Sequence, residues 1–469
     1  MEEQNKKKES AHFRDTIATV DSKGKRKWVY AKKPKGKLFN WRRGVALLLL
    51  AFFFIVPFIE VNGDPFMLFN VLQRKFIIFG VIFYPQDFHL ILLAFITTLV
   101  FVVLFTVIFG RLFCGWICPQ TIFMEFVFRQ IEYWIEGTPA KQKKLATAPW
   151  TAEKIWKKSL KHFIFFSIAF IVANTFLAYV IGKNELFAQI AEGPATHFET
   201  IGVLLILSGL FYFVFAFFRE QVCAIACPYG RLQGVMIDKK TIVVGYDYKR
   251  GEPRGPLKLS EEKGDCIACK ACVVVCPAGI DIRNGTQLEC INCTACIDEC
   301  NTVMDRIGKP KGLIRYDSEE GFESGKHHIF NARSIAYSVV LLLLLAFVGS
   351  LFAFRGDFEV TILRAPGSLF QEYGTDSVSN IYNFNIANKV RTPVTVDFKL
   401  ESHHGSIKLL GEQLTVQKGE VGKGTLLVII ARSDMGKSKI PIVIGLYANG
   451  EKIEDYDSSF IGPNSLDKR

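Results

Sequence analysis

The sequence predicts an α-helical membrane protein of five spans, with an inserted cysteine-rich domain on the cytoplasmic side and a C-terminal all-β sandwich. Three observations predict it. Apolar residues collect in blocks of about 20, the length that crosses a hydrocarbon core. All 12 cysteines fall in four tight groups. Beyond residue 356 the hydrophobic period changes to the alternation of strands. Composition agrees, since 50% of the 469 residues are hydrophobic and the mean hydropathy of +0.23 lies above that of ordinary soluble domains. The net charge of +12 is no footprint of nucleic acid, because Lys and Arg flank the apolar blocks instead of interleaving with aromatics on one face. Membrane lipid is the expected partner, and no nucleic acid.

Residues 1–43 carry 14 Lys or Arg and no apolar run before Gly44, too long and polar for a signal peptide, so they read as a basic cytoplasmic tail. Transmembrane helices are expected at 44–59, 90–110, 163–182, 201–218 and 335–354. A weaker block at 66–84 is interrupted by Gln73, Arg74 and Lys75, and cations at mid-bilayer cost several kcal/mol, so an interfacial or re-entrant amphipathic piece is expected there. Segment 113–161 holds eight Lys or Arg and 219–333 is richly basic, against one in 183–200 and two in 60–88. Five spans put both basic segments inside, as the distribution of cations demands. The C-terminus then lies outside the cytoplasmic membrane, in the periplasm of a cell with an outer membrane.

The tail at 365–465 alternates through TPVTVDFK, GTLLVIIA and KIPIVIGLY between turns bearing Gly and Asn. A β-sandwich without any cysteine lacks the inter-sheet disulfide of antibody domains. His403 and His404 are adjacent there, and neighbours on a strand point to opposite faces, so a surface loop is expected in place of a metal site.

The chemistry lies in the cysteines. Cys266, Cys269, Cys272 and Cys276-Pro277 form C-x2-C-x2-C-x3-C-P, and Cys290, Cys293, Cys296 and Cys300 repeat the spacing with Asn301 in place of Pro. This is the bacterial ferredoxin run, in which three thiolates hold three corners of a cubane and the fourth comes from the other run. A dicluster [4Fe–4S] domain is therefore expected at 260–310, with Cys266, Cys269, Cys272 and Cys300 on one cluster and Cys290, Cys293, Cys296 and Cys276 on the other. Two structural zincs would leave the third cysteine of each run unexplained. The missing second Pro is expected to loosen the chain's exit after Cys300.

Cys114 and Cys118-Pro119 follow the second span, and Cys223 and Cys227-Pro228 follow the fourth, each as C-x3-C-P. On a continuous helix the i and i+4 sulfurs would share one face, with the Pro marking its end or a kink. Four soft ligands then suit Cu(I), Zn or Fe–S, against a packing or disulfide role. Arg111 and Arg219 read as snorkelling anchors, and Trp116, Tyr133 and Trp134 as an interfacial belt. His162 and His89, at span edges, are weak candidates for haem or quinone.

Two membrane C-x3-C-P motifs, the run CPAGIDIRNGTQLECINCTACIDEC, a fifth span and a β-rich tail resemble the cytochrome c oxidase accessory protein family, FixG/CcoG. The resemblance covers nearly the whole chain after residue 30. It implies an Ig-like tail and a role in maturing cbb(3)-type cytochrome c oxidase, as a membrane Cu(II) reductase supplying Cu(I) to the haem–copper centre. Cys114, Cys118, Cys223 and Cys227 would then handle copper, the eight ferredoxin cysteines would relay electrons from a donor the sequence does not name, and oxidase subunits or copper-delivery proteins would be the partners. Quinol-dehydrogenase subunits of anaerobic respiration share the cysteine motifs and give the alternative, an electron conduit. A third reading is a scaffold whose Ig-like domain docks oxidase subunits and whose cysteines are dispensable.

Overall fold

The computed structural model describes residues 17–463 except 22, 73–74, 84–87, 194, 257–262, 326–331, 355–357, 368, 375, 389–391, 412–413, 418–419, 436 and 449. Arg74 and the first residues of the 260–310 segment thus lie outside the described residues. The chain divides into two compact units, one holding Met1–Gln73, Ile77–Gly80 and Ile91–Val348, the other Arg74–Phe76, Val81–Leu90 and Gly349–Arg469.

Among the described residues five helices are long and apolar enough to cross a membrane: Lys37–Phe58, His89–Phe109, Ala152–Ile181, Phe198–Phe218 and Ser334–Ala353. The first begins well before the apolar block because its N-terminus is capped from afar: the Asp298 carboxylate accepts from the Leu38 and Phe39 amides at 3.3 and 2.8 Å. The third also starts early. Thr151 caps it by accepting from the Lys154 amide at 3.3 Å, so its first turns carry Lys154, Lys157, Lys158 and Lys161 ahead of the apolar stretch. The segment at 66–84, expected as an interfacial or re-entrant amphipathic piece, holds short strands among its described residues, Leu68–Asn70, Lys75–Ile78 and Val81–Phe83. Its β-branched and aromatic residues favour extended backbone.

The cysteine-rich region is tied together by antiparallel strands Val243–Tyr246 and Ile314–Asp317, with Val243 opposite Asp317. Its apolar core collects Val244, Ile280, Ile282, Ile297, Met304 and Leu313 around the thiols.

In the second unit the tail is an Ig-like sandwich. One sheet runs in the order Gly405–Leu410, Val421–Ala431, Ser377–Asn388, Phe358–Arg364, and the other in the order Thr415–Val416, Val394–Leu400, Lys439–Ala448, Glu451–Ile461. Inward residues such as Tyr382, Phe384, Val428, Ile442 and Phe460 fill the core. Asn380 stitches the sheets across 81 positions of sequence, donating to the Ile461 carbonyl and accepting from its amide. His403 and His404 lie in the bend before Gly405–Leu410.

Candidate functional site

Each ferredoxin run is curled by the same backbone device. Ala268 and Lys270 in the first, and Asn292 and Thr294 in the second, sit at positive φ between 53° and 64°. These left-handed residues at equivalent positions turn the chain around its thiols. After them the runs diverge. Pro277 closes the first, whose helix Ala271–Val274 is four residues long, whereas Asn301 lets the second continue as Ala295–Arg306. The expected loosening after Cys300 is corrected accordingly: without Pro the helix persists, and the Asn301 side chain accepts from the Gly312 amide at 3.0 Å.

All eight thiols are free. Cys266, Cys269, Cys272 and Cys300 line one cavity with Tyr246, Met304 and Leu313. Cys276, Cys290, Cys293 and Cys296 line a second, which Cys272 also borders. Among the described residues no three His, Cys, Asp or Glu side chains converge on a single ion. Spread soft donors around a cavity fit a polynuclear iron–sulfur group better than a mononuclear zinc. Burial raises the Cys272 and Cys300 thiols to about 12 and Cys290 to about 11, so these three are neutral until a metal displaces the proton.

The membrane thiols do not lie on continuous helices. Cys114 belongs to the short helix Leu112–Trp116, while Cys118, at φ −57° and ψ 123°, precedes a new helix opening at Pro119. Cys223 lies in the π-helical turn Val222–Ala226, and Cys227, at φ −75° and ψ 110°, precedes the helix opening at Pro228. The i, i+4 geometry fails because Pro pushes its predecessor out of helical conformation. The two motifs still match one another, each second thiol standing at the N-terminus of a Pro-led helix.

The four thiols are close enough to act on one another. Cys114 feels Cys118 and Cys227, and Cys223 feels the other three; Arg111 acts on both. Burial raises Cys114 and pushes Cys223 up to about 12, with Arg111 partly opposing it. The Cys114 thiol donates to Gln233 Oε1 at 3.0 Å, and Arg111 Nε donates to the same oxygen at 3.2 Å. Gly230 is required beside them: a Cβ there would stand 2.8 Å from Arg111 Nη2 and 2.9 Å from the Cys223 carbonyl.

This thiol group abuts the second ferredoxin run. Cys114 packs in one apolar cluster with Cys293, Ile291 and Val275, against which Cys296 and Tyr229 also lie. Gly115 makes the approach possible, because a Cβ would collide with the Ile291 carbonyl. Arg42, 1% exposed, donates to the Gly115 carbonyl at 2.6 Å, and Trp116 Nε1 donates to Tyr316, whose hydroxyl donates to the Asn292 carbonyl.

Two expectations are corrected here. Arg111 and Arg219 do not snorkel; they are 3% and 1% exposed. Arg219 holds Glu132 in a two-pronged pair at 2.7 and 3.0 Å, and Lys161 adds a contact at 3.6 Å. Burial alone would raise the Glu132 carboxyl, yet Arg219, Lys161 and Arg129 hold it below the usual range. Trp116 and Tyr133 make specific hydrogen bonds, Tyr133 to the Ala31 carbonyl at 2.9 Å, so they tie segments together instead of forming a belt; Trp134 is exposed. His162 pairs with the Tyr212 hydroxyl at 3.0 Å. Sequence reasoning missed Gln233, Arg42, Asp298 and the Glu132–Arg219 pair; the only signal was the charge held within stretches flanked by apolar residues.

Family models match three parts of the chain: a 4Fe-4S binding domain over 91–139, a 4Fe-4S dicluster domain over 218–319, and the Ig-like fold at the C-terminus of FixG over 348–463. The first two also span the membrane thiol pairs. Protein RdxB of Cereibacter sphaeroides is 32% identical over 444 residues, covering 88% of this chain and 92% of its own. The chain belongs to the FixG/Rdx family. Protein RdxA of the same organism is 34% identical, covering 77% of this chain and 79% of its own. Nitrogen fixation protein FixG of Rhizobium meliloti is 34% identical, covering 62% of this chain and 57% of its own. As a FixG/Rdx protein it is a multi-pass membrane iron–sulfur protein of electron transport, with a 4Fe-4S dicluster domain and an Ig-like tail.

Proposed function

We propose that this FixG/Rdx protein reduces Cu(II) to Cu(I) for assembly of the haem–copper centre of a cbb(3)-type cytochrome c oxidase, with copper as substrate at Cys114, Cys118, Cys223 and Cys227. The observation that carries the reading is that Cys114 and Cys293 share one apolar cluster, which Cys296 borders, with Gly115 pressed to the Ile291 carbonyl. Cys266, Cys269, Cys272 and Cys300 would hold one [4Fe–4S] cluster and Cys290, Cys293, Cys296 and Cys276 the other. When bound there, the clusters supply one-electron steps.

The chain's own residues then prepare the copper-handling end. Soft thiolates favour Cu(I) over Cu(II), so ligation itself raises the driving force as Cu(II) takes up one electron. Ligation releases the thiol protons, and the Arg111 cation beside Cys114 and Cys223 favours their thiolate forms. The asymmetry of Lys and Arg among the loops supports a cytoplasmic dicluster domain and an Ig-like domain outside. Cu(I) would pass to oxidase subunits or to a copper-delivery protein.

The test is the double variant Cys118→Ser, Cys227→Ser, with iron content and cluster absorbance checked first. Loss of copper binding and of Cu(II) reduction with both clusters retained is expected. Undiminished reduction would remove the four thiols from the reaction.

A further inference from the structure

Among the described residues the buried arginines are Arg42, Arg111, Arg129 and Arg219. Arg129 is paired with Glu125 and Arg219 with Glu132. Arg42 and Arg111 have no carboxylate partner among the described residues. Arg111 stands beside Cys114 and Cys223, whose thiolates answer its charge once a metal is bound. That leaves Arg42. It is 1% exposed, and its Nη2 is buried without a hydrogen-bond partner. A buried cation without an anion costs several kcal/mol, so something anionic belongs beside it. The nearest acids in the chain's path are engaged elsewhere: Asp298 accepts from the Leu38 and Phe39 amides, and Glu125, next to the Phe126 ring that the guanidinium covers at 5.0 Å, holds Arg129.

Arg42 reaches toward the second ferredoxin run. Its Nε donates to the Gly115 carbonyl at 2.6 Å, and Gly115 is pressed against Ile291 and Asn292, the two residues before Cys293. Burial raises the Cys293 thiol, and Arg42 is the cation that opposes it. The first run is served differently. Arg283, which acts on Cys272, is matched by Asp281, and Arg250, which acts on Cys300, by Asp265. The unmatched buried charge thus lies at the run that adjoins Cys114.

We infer that Arg42 is the counter-cation of an iron–sulfur cluster held by Cys290, Cys293, Cys296 and Cys276, and that it raises the potential of that cluster. This rests on the assignment of those four cysteines to one cluster. Four thiolates around an iron–sulfur core leave the group net anionic, and more so when reduced, so a cation at close range in dry surroundings favours the reduced form. The two thiol cavities both border Cys272. An electron shared between them then rests beside Cys114, the first cluster being oxidised and the second reduced by one electron.

The experiment is an anaerobic potentiometric titration of full-length protein in lipid nanodiscs, followed by EPR, with iron analysed first. Two couples are expected in the wild type. Arg42→Met should disfavour reduction of one of them by about tenfold, a fall of about 59 mV for a one-electron couple, and leave the other in place. The couple that falls should be the one that survives in Cys269→Ala. Arg42→Lys, which keeps the charge, should hold that couple near its wild-type position. Arg42→Gln, which keeps a donor for the Gly115 carbonyl without the charge, should fall as Arg42→Met does. Loss of half the iron in both neutral variants, with Arg42→Lys intact, would equally mark the charge as the cluster's partner. Unmoved couples in a neutral variant that retains its iron, or an equal fall or equal iron loss in Arg42→Lys, would overturn the inference and leave Arg42 as a packing residue. Absence of iron from the wild type would overturn the cluster assignment itself, a separate failure that the iron analysis reads first.

Discussion

The two cysteine runs are near copies in sequence, and the chain treats them as opposites. Both curl through paired left-handed residues, and both present thiols to a small cavity. The first ends at Pro277 after a four-residue helix and leaves Cys269 in the open. The second extends to Arg306, and Asp298 on that helix caps the first membrane span while Cys293 shares an apolar cluster with Cys114. One substitution, Asn301 for Pro, gives the second run the helix that docks it. Loops of the same ligand spacing thus differ in what covers them: the Cys269 edge is exposed, and the other lies beside the membrane thiols.

The comparison breaks most sharply by removing one thiol from each run. After reduction with dithionite, which is small enough to reach either group, and removal of the excess, Cys293→Ala should abolish Cu(II) reduction, whereas Cys269→Ala should lose about half the iron and keep reducing copper. Equal loss in both would erase the distinction between inward and outward runs.

The covered side should also be the more fragile. Arg129, Arg219, Glu220 and Cys223 line a cavity together with Ile291 of the second run. Arg219→Met removes the two-pronged partner of the buried Glu132 carboxylate and leaves Lys161 at 3.6 Å beside it, at a cost of up to about 3–5 kcal/mol, measurable as a lowered melting temperature in detergent. Because Glu132 is held below its unfolded value, its contribution is present above the ordinary carboxylate range and is lost as pH falls through it. Acid should therefore destabilise the wild type more than a Glu132→Gln, Arg219→Met pair.

Gly115→Ala sharpens the comparison without touching a ligand. The added methyl meets the Ile291 carbonyl, so the loop must shift, at about 1–3 kcal/mol. Copper reduction should slow while iron content holds, and an unchanged rate would mean that the contact does not couple the two thiol groups. The smallest effect expected is of pH: Cys223 is raised to about 12, so Cu(I) binding must displace a proton and should tighten steadily from about pH 6 to about pH 8 in a competition titration.

What the sequence revealed was local. Apolar blocks and C-x2-C-x2-C-x3-C are read within a few tens of residues, so five spans and a dicluster domain are visible without any structure. What it concealed was long-range. Arg219 looks like a lipid anchor until Glu132, 87 positions away, is seen beside it. Asp298 looks like an ordinary helical acid until it caps Phe39 across 259 positions. The C-x3-C pairs misled for a local reason, since the rule that spaces i and i+4 on a helix yields to the Pro that follows. Arg74 and Lys75 argued correctly against a sixth span, but strand and interfacial helix were indistinguishable in so short a mixed block.

The most direct test of the account is anaerobic. Protein is reduced with dithionite, freed of excess reductant and titrated with Cu(II), following cluster absorbance and Cu(I) formation together. The account predicts that absorbance recovers as Cu(I) appears, to about two Cu(I) per chain from two one-electron clusters, and that the Cys118→Ser, Cys227→Ser variant keeps its reduced clusters bleached. Cu(I) formed with the clusters still bleached in the wild type, or full recovery in the double variant, would contradict it.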